Sequence, residues 1–442
     1  MVEYLKDSEY RNKIIIGDVM DNLILIPDKS IHMIVTSPPY WGLRDYNTGK
    51  WVGGDSNCDH KKVKRTTIKK SQDSSIIQPY SNTGHAQEGR YSGVCKKCGA
   101  IREDDQIGHE KTSEEYINKM VDIFREVRRV LRGDGTLWLN LGDSYAKGYS
   151  DGMKAKDMAC IPFRVAIALR QDGWFLRSAM PWLKKGAMPE SSMDRPTTTI
   201  EYMFLLTKSS DYFYDAEAVR LPNKESSIKR AEYMWNCDRP SAKAGENGTH
   251  VEQLGDRFVN PSGRLRRSSD WFFESWQGLY EKDDEPLALI VNPGGSKEAH
   301  FAQFPSLLVE PCIMAGTSQK GVCPECGTPW ERIVEKRVAD VTHPRRFSRD
   351  DSDRNDSDRN DGTDLYEETE TNTIGWKPVC TCGREDVVPA IVADIFMGSG
   401  TVAAEAKRLG RDYFGTELNG EYINKIALKR IENTKYQFNL FD

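Results

Sequence analysis

The stretch VVPAIVADIFMGSGTVAAEAKRLGRDYFGTE, residues 387–417, decides the fold. VVPAIVAD (387–394) is apolar up to Asp394 and reads as a buried strand. FMGSGT is a glycine-rich turn, TVAAEAKRLG (401–410) a helix stopped by Gly410, and RDYFGTE (411–417) the next strand. Strand, glycine-rich turn, helix and strand make a unit of a parallel α/β sheet. Gly398 and Gly400 let the backbone approach a ligand and aim helix amides at it. The pattern is neither GxGxxG nor a P-loop, since no Gly-Lys-Ser/Thr follows. Glu417 closes the second strand 23 residues after Asp394, where an acid can accept from both hydroxyls of a ribose. The blander alternative is a structural turn beside a surface Glu.

The rest of the chain extends this sheet. KIIIGD (13–18) reads as a short strand ending in a Gly-Asp turn, and Asp18 there could accept from an adenine amine. If this strand lies beside residues 412–416, Asp18, Asp394 and Glu417 line one crevice. The chain is then circularly permuted, with its C-terminal strands preceding its N-terminal ones in the sheet. IHMIVT (31–36) is another strand, stopped by Ser37-Pro38-Pro39-Tyr40. Two prolines cannot continue a central ladder, and they leave the Ser37 and Pro38 carbonyls without competing local amides. Those carbonyls and the Ser37 hydroxyl can accept from an amino group, and Tyr40 offers a face for a planar ring. Thr112 and Glu115 form a capping box for a helix carrying Ile117, Met120, Val121, Phe124, Val127 and Leu131. Gly133-Asp134-Gly135 is expected to end it before a strand TLWLNLGD (136–143). Further elements are a helix over 158–172, a strand over 200–207 and a final helix over 421–434.

The 442 residues suffice for two or three domains, with 38% hydrophobic residues and 10 Trp excluding a disordered chain. No apolar run is long enough for a membrane helix, and the N-terminus lacks the apolar core of a signal peptide. The net charge is −5, but residues 350–370 hold ten acids and two Arg; without them it is +3. KKVKRTTIKK (61–70) has six bases and no acid, and GRLRR (263–267) is a second basic knot; such patches suit a phosphate backbone, or are solvated loops. Seven of ten cysteines are clustered, which in a reducing cytosol indicates metal rather than disulfides. Cys58, His60, Cys95 and Cys98 supply four ligands from two knuckles. Cys323, Cys326, Cys380 and Cys382 supply four more, the last pair tightly spaced. Free buried thiols are the alternative for each cluster.

TSPPYW (36–41), DIFMGSGT (394–401) and Glu417, in this order, resemble the beta group of amino-methylating DNA methyltransferases. The resemblance covers residues 11–46, 108–145, 174–208, 300–317, 321–327 and 387–434, close to half the chain. It implies a Rossmann-like, circularly permuted S-adenosylmethionine-dependent methyltransferase sheet with zinc-ribbon-like inserts and a variable target-recognition region. Asp18, Asp394, Phe396, Gly398, Ser399, Gly400, Thr401 and Glu417 are then cofactor-binding. Ser37, Pro38, Pro39 and Tyr40 are catalytic: a base flipped out of duplex DNA stacks on Tyr40 and its amine donates to Ser37 and the Pro38 carbonyl. Ile395 departs from the proline common in the family. Ser before Pro-Pro-Tyr leans toward N4 of cytosine; N6 of adenine is the alternative, as are methylation of RNA or protein amines and a degenerate zinc-ribbon DNA-binding protein.

The expected organisation is a catalytic half in two parts, 1–54 and 106–214, split by a basic zinc insert at 55–105. A target-recognition region follows at 215–298. Residues 299–386 hold a cofactor-adjacent segment, the second knuckle and a disordered acidic insert at 340–373, and 387–442 form the cofactor-binding half. Expected partners are duplex DNA and a cognate restriction endonuclease, with up to two structural zinc ions, in the cytoplasm of a prokaryote or phage-infected host.

Overall fold

The computed structural model describes residues 4–42, 49–60, 94–103, 106–146, 152–184, 192–220, 305–343 and 364–436. Its strands, in chain order, are β1 (Lys13–Ile16), β2 (Ile31–Thr36), β3 (Lys50–Val52), β4 (Ile101–Glu103), β5 (Leu131–Leu141) and β6 (Phe175–Leu183). They continue with β7 (Ile200–Thr207), β8 (Glu331–His343), β9 (Asp364–Lys377), β10 (Ile391–Asp394) and β11 (Asp412–Glu417). Seven form one sheet in the order β1-β11-β10-β2-β5-β7-β6. Strands β1, β11, β10, β2 and β5 run parallel, and β7 is antiparallel to both neighbours. The register Lys13↔Phe414 to Ile16↔Glu417 puts β1 beside β11, as the three-acid crevice requires. Strands from the end of the chain thus lie between β1 and β2.

A parallel sheet must be covered on both faces, and the alternation along each strand shows how. Ile34, Leu137, Leu139, Ile391 and Ala393 pack under the helix Ser113–Val130 and its neighbours. Met33, Val35, Trp138 and Val392 face the other way, toward the helices Ser306–Gly316 and Thr401–Arg408. All six residues of β2 are buried, so this strand is the axis of both cores.

The capping box forms: Thr112 Oγ1 accepts from the Glu115 amide at 3.1 Å, and Glu115 returns the bond at 3.3 Å. The helix ends at Val130, not at Gly133, because Leu131 turns extended and already pairs with Ile31. Strand β5 therefore absorbs the Gly-Asp-Gly expected as a stop. Strand β10 starts at Ile391 rather than residue 387, since Pro389 interrupts the ladder and Val388 bridges Val322 instead. The helix expected over 158–172 spans Ile161–Gln171. The final helix runs from Gly420 to Asn433 through one π turn, Ile423–Ala427.

The acidic segment 340–373 departs from the expected disorder at both flanks. Strands β8 and β9 pair antiparallel from Glu331↔Lys377 to His343↔Asp364. Val334, Val338, Val341, Thr369, Thr371 and Thr373 give these flanks a strand propensity that composition alone conceals. The basic run 61–70, the knot 263–267 and the recognition region beyond residue 220 lie outside the described residues. No helix among the described residues is long and apolar enough to cross a membrane.

Candidate active site

Strand order reverses between β10 and β2: one chain direction continues through β11, the other through β5. At such a switch point the loops leave on opposite faces and open a crevice at the carboxyl ends. The glycine-rich turn follows β10 and the Pro-Pro turn follows β2, so both sequence-predicted turns flank this crevice. One hydrogen bond joins them: the Thr36 hydroxyl donates to Asp394 Oδ1 at 2.7 Å. Asp394 is buried and also accepts from the Phe396 amide at 3.0 Å. Burial raises its pKa from 3.8 to about 7.

On the β10 side of the crevice, Glu417 accepts from the Gly398 amide at 2.8 Å and the Asn419 amide at 2.9 Å, one on each oxygen. Each oxygen keeps acceptor capacity for a hydroxyl. Burial pushes the Glu417 carboxyl up. Gly398 has φ +50° and open space: a Cβ there would meet only the Phe396 carbonyl, 3.8 Å away. Gly400, at φ +75°, is different, because a Cβ would lie 2.8 Å from Ala427 Cβ and 3.0 Å from its Cα. Gly398 therefore leaves room for a ligand, whereas Gly400 leaves room for a helix. Asp18 caps the helix Val19–Ile24, accepting from the Met20 amide at 2.8 Å, so one of its oxygens is already engaged. Ser399 and Thr401 both accept from Arg430, a residue sequence reasoning missed. Phe396 packs partly buried against the core.

On the β2 side of the crevice, the Pro39 carbonyl accepts from the Tyr116 hydroxyl at 3.0 Å. The Pro38 carbonyl has no protein donor among the described residues. The Tyr40 ring lies against Gly142, where a Cβ would come within 2.6 Å of Cε2. Its hydroxyl donates to Glu201 at 2.8 Å and sits 3.2 Å from Ser37 Oγ. Burial, then the Glu201 charge, holds the Tyr40 phenol well above its usual range. Asn140, Lys184 and Glu201 complete this side and were not foreseen. The signal was present: Glu201 shares a strand face with Met203 and Leu205 in an otherwise apolar EYMFLLT.

Both cysteine clusters assemble, with the four candidate ligand atoms of each within 4.8 Å of one another. Cys58 Sγ and Cys95 Sγ are 3.8 Å apart, and Cys98 Sγ is 3.3 Å from His60 Nε2. Two sulfurs on one tetrahedral zinc lie about 3.8 Å apart, so the donor set fits that ion. Amide donors from Ala100 and Asp55 lower Cys98 to about 6, and the Thr328 hydroxyl lowers Cys326 to about 6. The Cys326 sulfur pushes Cys382 up to about 12. Four thiols cannot all ionise together without a cation among them. The first cluster lies between β3 and β4 in the chain, past the Val52↔Ile101 end of that strand pair, and the second at the base of the β8–β9 ribbon, next to Glu331↔Lys377.

An α/β sheet with a glycine-rich turn and a Pro-Pro-Tyr turn at its switch point defines a nucleotide-type crevice facing a polar acceptor site. The chain belongs to the DNA methylase family, whose profile matches residues 31–323 and 389–429. The Type II methyltransferase M.Cfr9I of Citrobacter freundii is 30% identical over 437 residues, covering 94% of this chain and 86% of that protein. M.XycI of Xanthomonas campestris pv. cyanopsidis, also a Type II methyltransferase, is 34% identical over 267 residues, 55% of this chain and 69% of that one. The solved PvuII DNA methyltransferase, described as cytosine-N4-specific, aligns over 98% of this chain and 88% of its own, at 15% identity and a TM-score of 0.43.

Proposed function

We propose that the chain is a site-specific DNA methyltransferase that methylates the exocyclic N4 amine of cytosine in duplex DNA, using S-adenosylmethionine. The observation that carries this reading is the Thr36–Asp394 hydrogen bond, which ties the acceptor turn to the glycine-rich turn across one crevice. Asp394, Phe396, Gly398, Ser399, Gly400 and Thr401 would line the cofactor, with Glu417 on the ribose hydroxyls and Asp18 on the adenine amine. Bound there, the cofactor supplies an electrophilic methyl group on a sulfonium. The protein's work is orientation and electrostatic fit. Tyr40 stacks the flipped base, while Ser37 Oγ and the Pro38 carbonyl accept from its amine. These bonds draw the nitrogen lone pair out of conjugation with the ring, and no cysteine nucleophile is needed.

The strand order, with β10 and β11 between β1 and β2, supports a circularly permuted methyltransferase sheet. Each cysteine cluster would hold one structural zinc. The Type II relatives support a restriction–modification or phage setting, with a cognate endonuclease as partner. Neutral Ser37 supports cytosine over adenine. The test is methyl transfer from labelled cofactor to duplex DNA, followed by nucleoside mass spectrometry. N4-methylcytosine is expected. N6-methyladenine alone would overturn the base assignment, and no incorporation into duplex DNA would overturn the function. Ser37→Ala should cut turnover by about 10–1000-fold, the scale of one lost transition-state hydrogen bond.

A further inference from the structure

Side chains from β5 and β7 and from the segments just past the ends of β2 and β6 meet in one hydrogen-bonded set at the Pro-Pro-Tyr turn. The Tyr40 hydroxyl donates to Glu201 Oε2 at 2.8 Å. Asn140 Nδ2 lies 2.7 Å from that hydroxyl, 3.0 Å from Glu201 Oε2 and 3.4 Å from Ser37 Oγ. Ser37 Oγ is 3.2 Å from the Tyr40 hydroxyl. The Lys184 ammonium pairs with the other Glu201 oxygen. Glu201 is 7% exposed and Asn140 1%, so water does not substitute for these partners.

The donor inventory fixes the direction of every bond. An ionised Glu201 only accepts. Tyr40 has one proton and gives it to Glu201. The Asn140 amino group only donates. The proton in the Ser37–Tyr40 contact must therefore be Ser37's own. With one lone pair facing Asn140 at 3.4 Å, that leaves the other lone pair of the Ser37 oxygen for an incoming amine. Its hydroxyl is turned into a committed acceptor by a carboxylate two bonds away.

We propose that Glu201 is a positioning residue that holds Ser37 as an acceptor toward the target amine and receives the proton the amine must shed. This rests on the amine-methylating reading above. Exchanging an N–H for an N–C bond releases one proton. In the step proposed, the amine proton passes to Ser37 Oγ, the Ser37 proton to the Tyr40 oxygen, and the Tyr40 proton to Glu201 Oε2. The carboxylate becomes a carboxyl. It returns the proton to solvent on the side of Lys184, whose side chain is 30% exposed. Tyr40 and Lys184 are the titratable groups against Glu201. The raised Tyr40 phenol keeps its proton between turnovers.

Glu201→Gln preserves shape but can donate as well as accept, so the chain loses its direction. Tyr40→Phe keeps the stacking ring and cuts the chain in the middle. The full-length protein, each variant and the double variant are compared for kcat and KM on duplex DNA and for cofactor affinity by calorimetry. Each single variant should lose about 100-fold in kcat with cofactor affinity unchanged. The double variant should lose no more than the worse single one, because the two groups act in series. Wild-type kcat in Glu201→Gln, or losses that multiply in the double variant, would overturn the proposal while leaving the methyltransferase reading intact. A wild-type protein that binds the cofactor but methylates no amine would overturn both.

Discussion

Asp394→Asn should stabilise the cofactor-free protein above neutral pH while weakening cofactor binding. Asp394 is 5% exposed, and burial lifts its pKa from 3.8 to about 7, with the Glu417 charge adding to the rise. The unfolded chain releases this proton near the ordinary value and the folded chain near 7. Between those values the folded state holds the extra proton, so stability falls as pH rises. The penalty is absent below about pH 4 and complete above about pH 7. The gap between 3.8 and about 7 corresponds to about 4 kcal/mol, at about 1.4 kcal/mol per pH unit. Relaxation and water entry at a crevice bring this nearer about 2 kcal/mol. The amide removes the charge without removing contacts, because Thr36 and Phe396 both donate to Oδ1, which Asn keeps as a carbonyl oxygen. At about 2.1 cal/mol/K per residue over 442 residues, a gain of about 2 kcal/mol raises the melting temperature by roughly 2 °C. Melting curves of both proteins at about pH 4, 6 and 8 check this, with calorimetry for the cofactor. A difference that does not change with pH, or none at about pH 8, would refute the account of Asp394 as a buried charge kept for a ligand.

Elemental analysis should find about two zinc ions per chain, and Cys58→Ser about one; chelation should lower the melting temperature, since metal binding is folding free energy. Gly400→Val should block the cofactor and also cost fold stability, because its Cβ would press on Ala427. Gly398→Val is the cleaner probe: calorimetry should show cofactor affinity down at least about tenfold, for a left-handed backbone strain of about 1–2 kcal/mol. Gly142→Ala should push on the Tyr40 ring and raise KM for DNA more than it changes cofactor affinity, which steady-state kinetics would separate.

What was legible in the sequence is what the chain states locally. Gly398 and Gly400 declare a left-handed turn, Pro38 and Pro39 a halted strand, and Thr112 with Glu115 a helix start. Each depends on residues within one turn of one another. The cysteine knuckles were legible for a related reason: sulfur at short spacing carries a chemistry few other roles use. Arg430 was not legible, because its guanidinium meets Ser399 and Thr401 only after the last helix folds back on the turn. The disordered reading of 340–373 failed in its flanks because charge composition ignores alternation, which is what a two-stranded ribbon requires.

Glu201 is the sharpest case, and it shows why sites escape sequence reading where folds do not. Asn140 and Glu201 lie on β5 and β7, Ser37 and Lys184 just past the ends of β2 and β6, and only the order β2-β5-β7-β6 makes them neighbours. Strand register then does the rest: Asn140 pairs with Met203 and Leu141 with Tyr202, which brings Asn140 within reach of Glu201. A buried carboxylate costs several kcal/mol unless it is paired. Its survival on an apolar strand face therefore demands partners, and the fold supplies three. An acid that breaks an apolar alternation is thus a legible sign that a polar site exists, while its membership is written in the topology. Here the two kinds of information meet at Ser37: sequence announces the acceptor, and the sheet supplies the carboxylate that fixes which way its proton points.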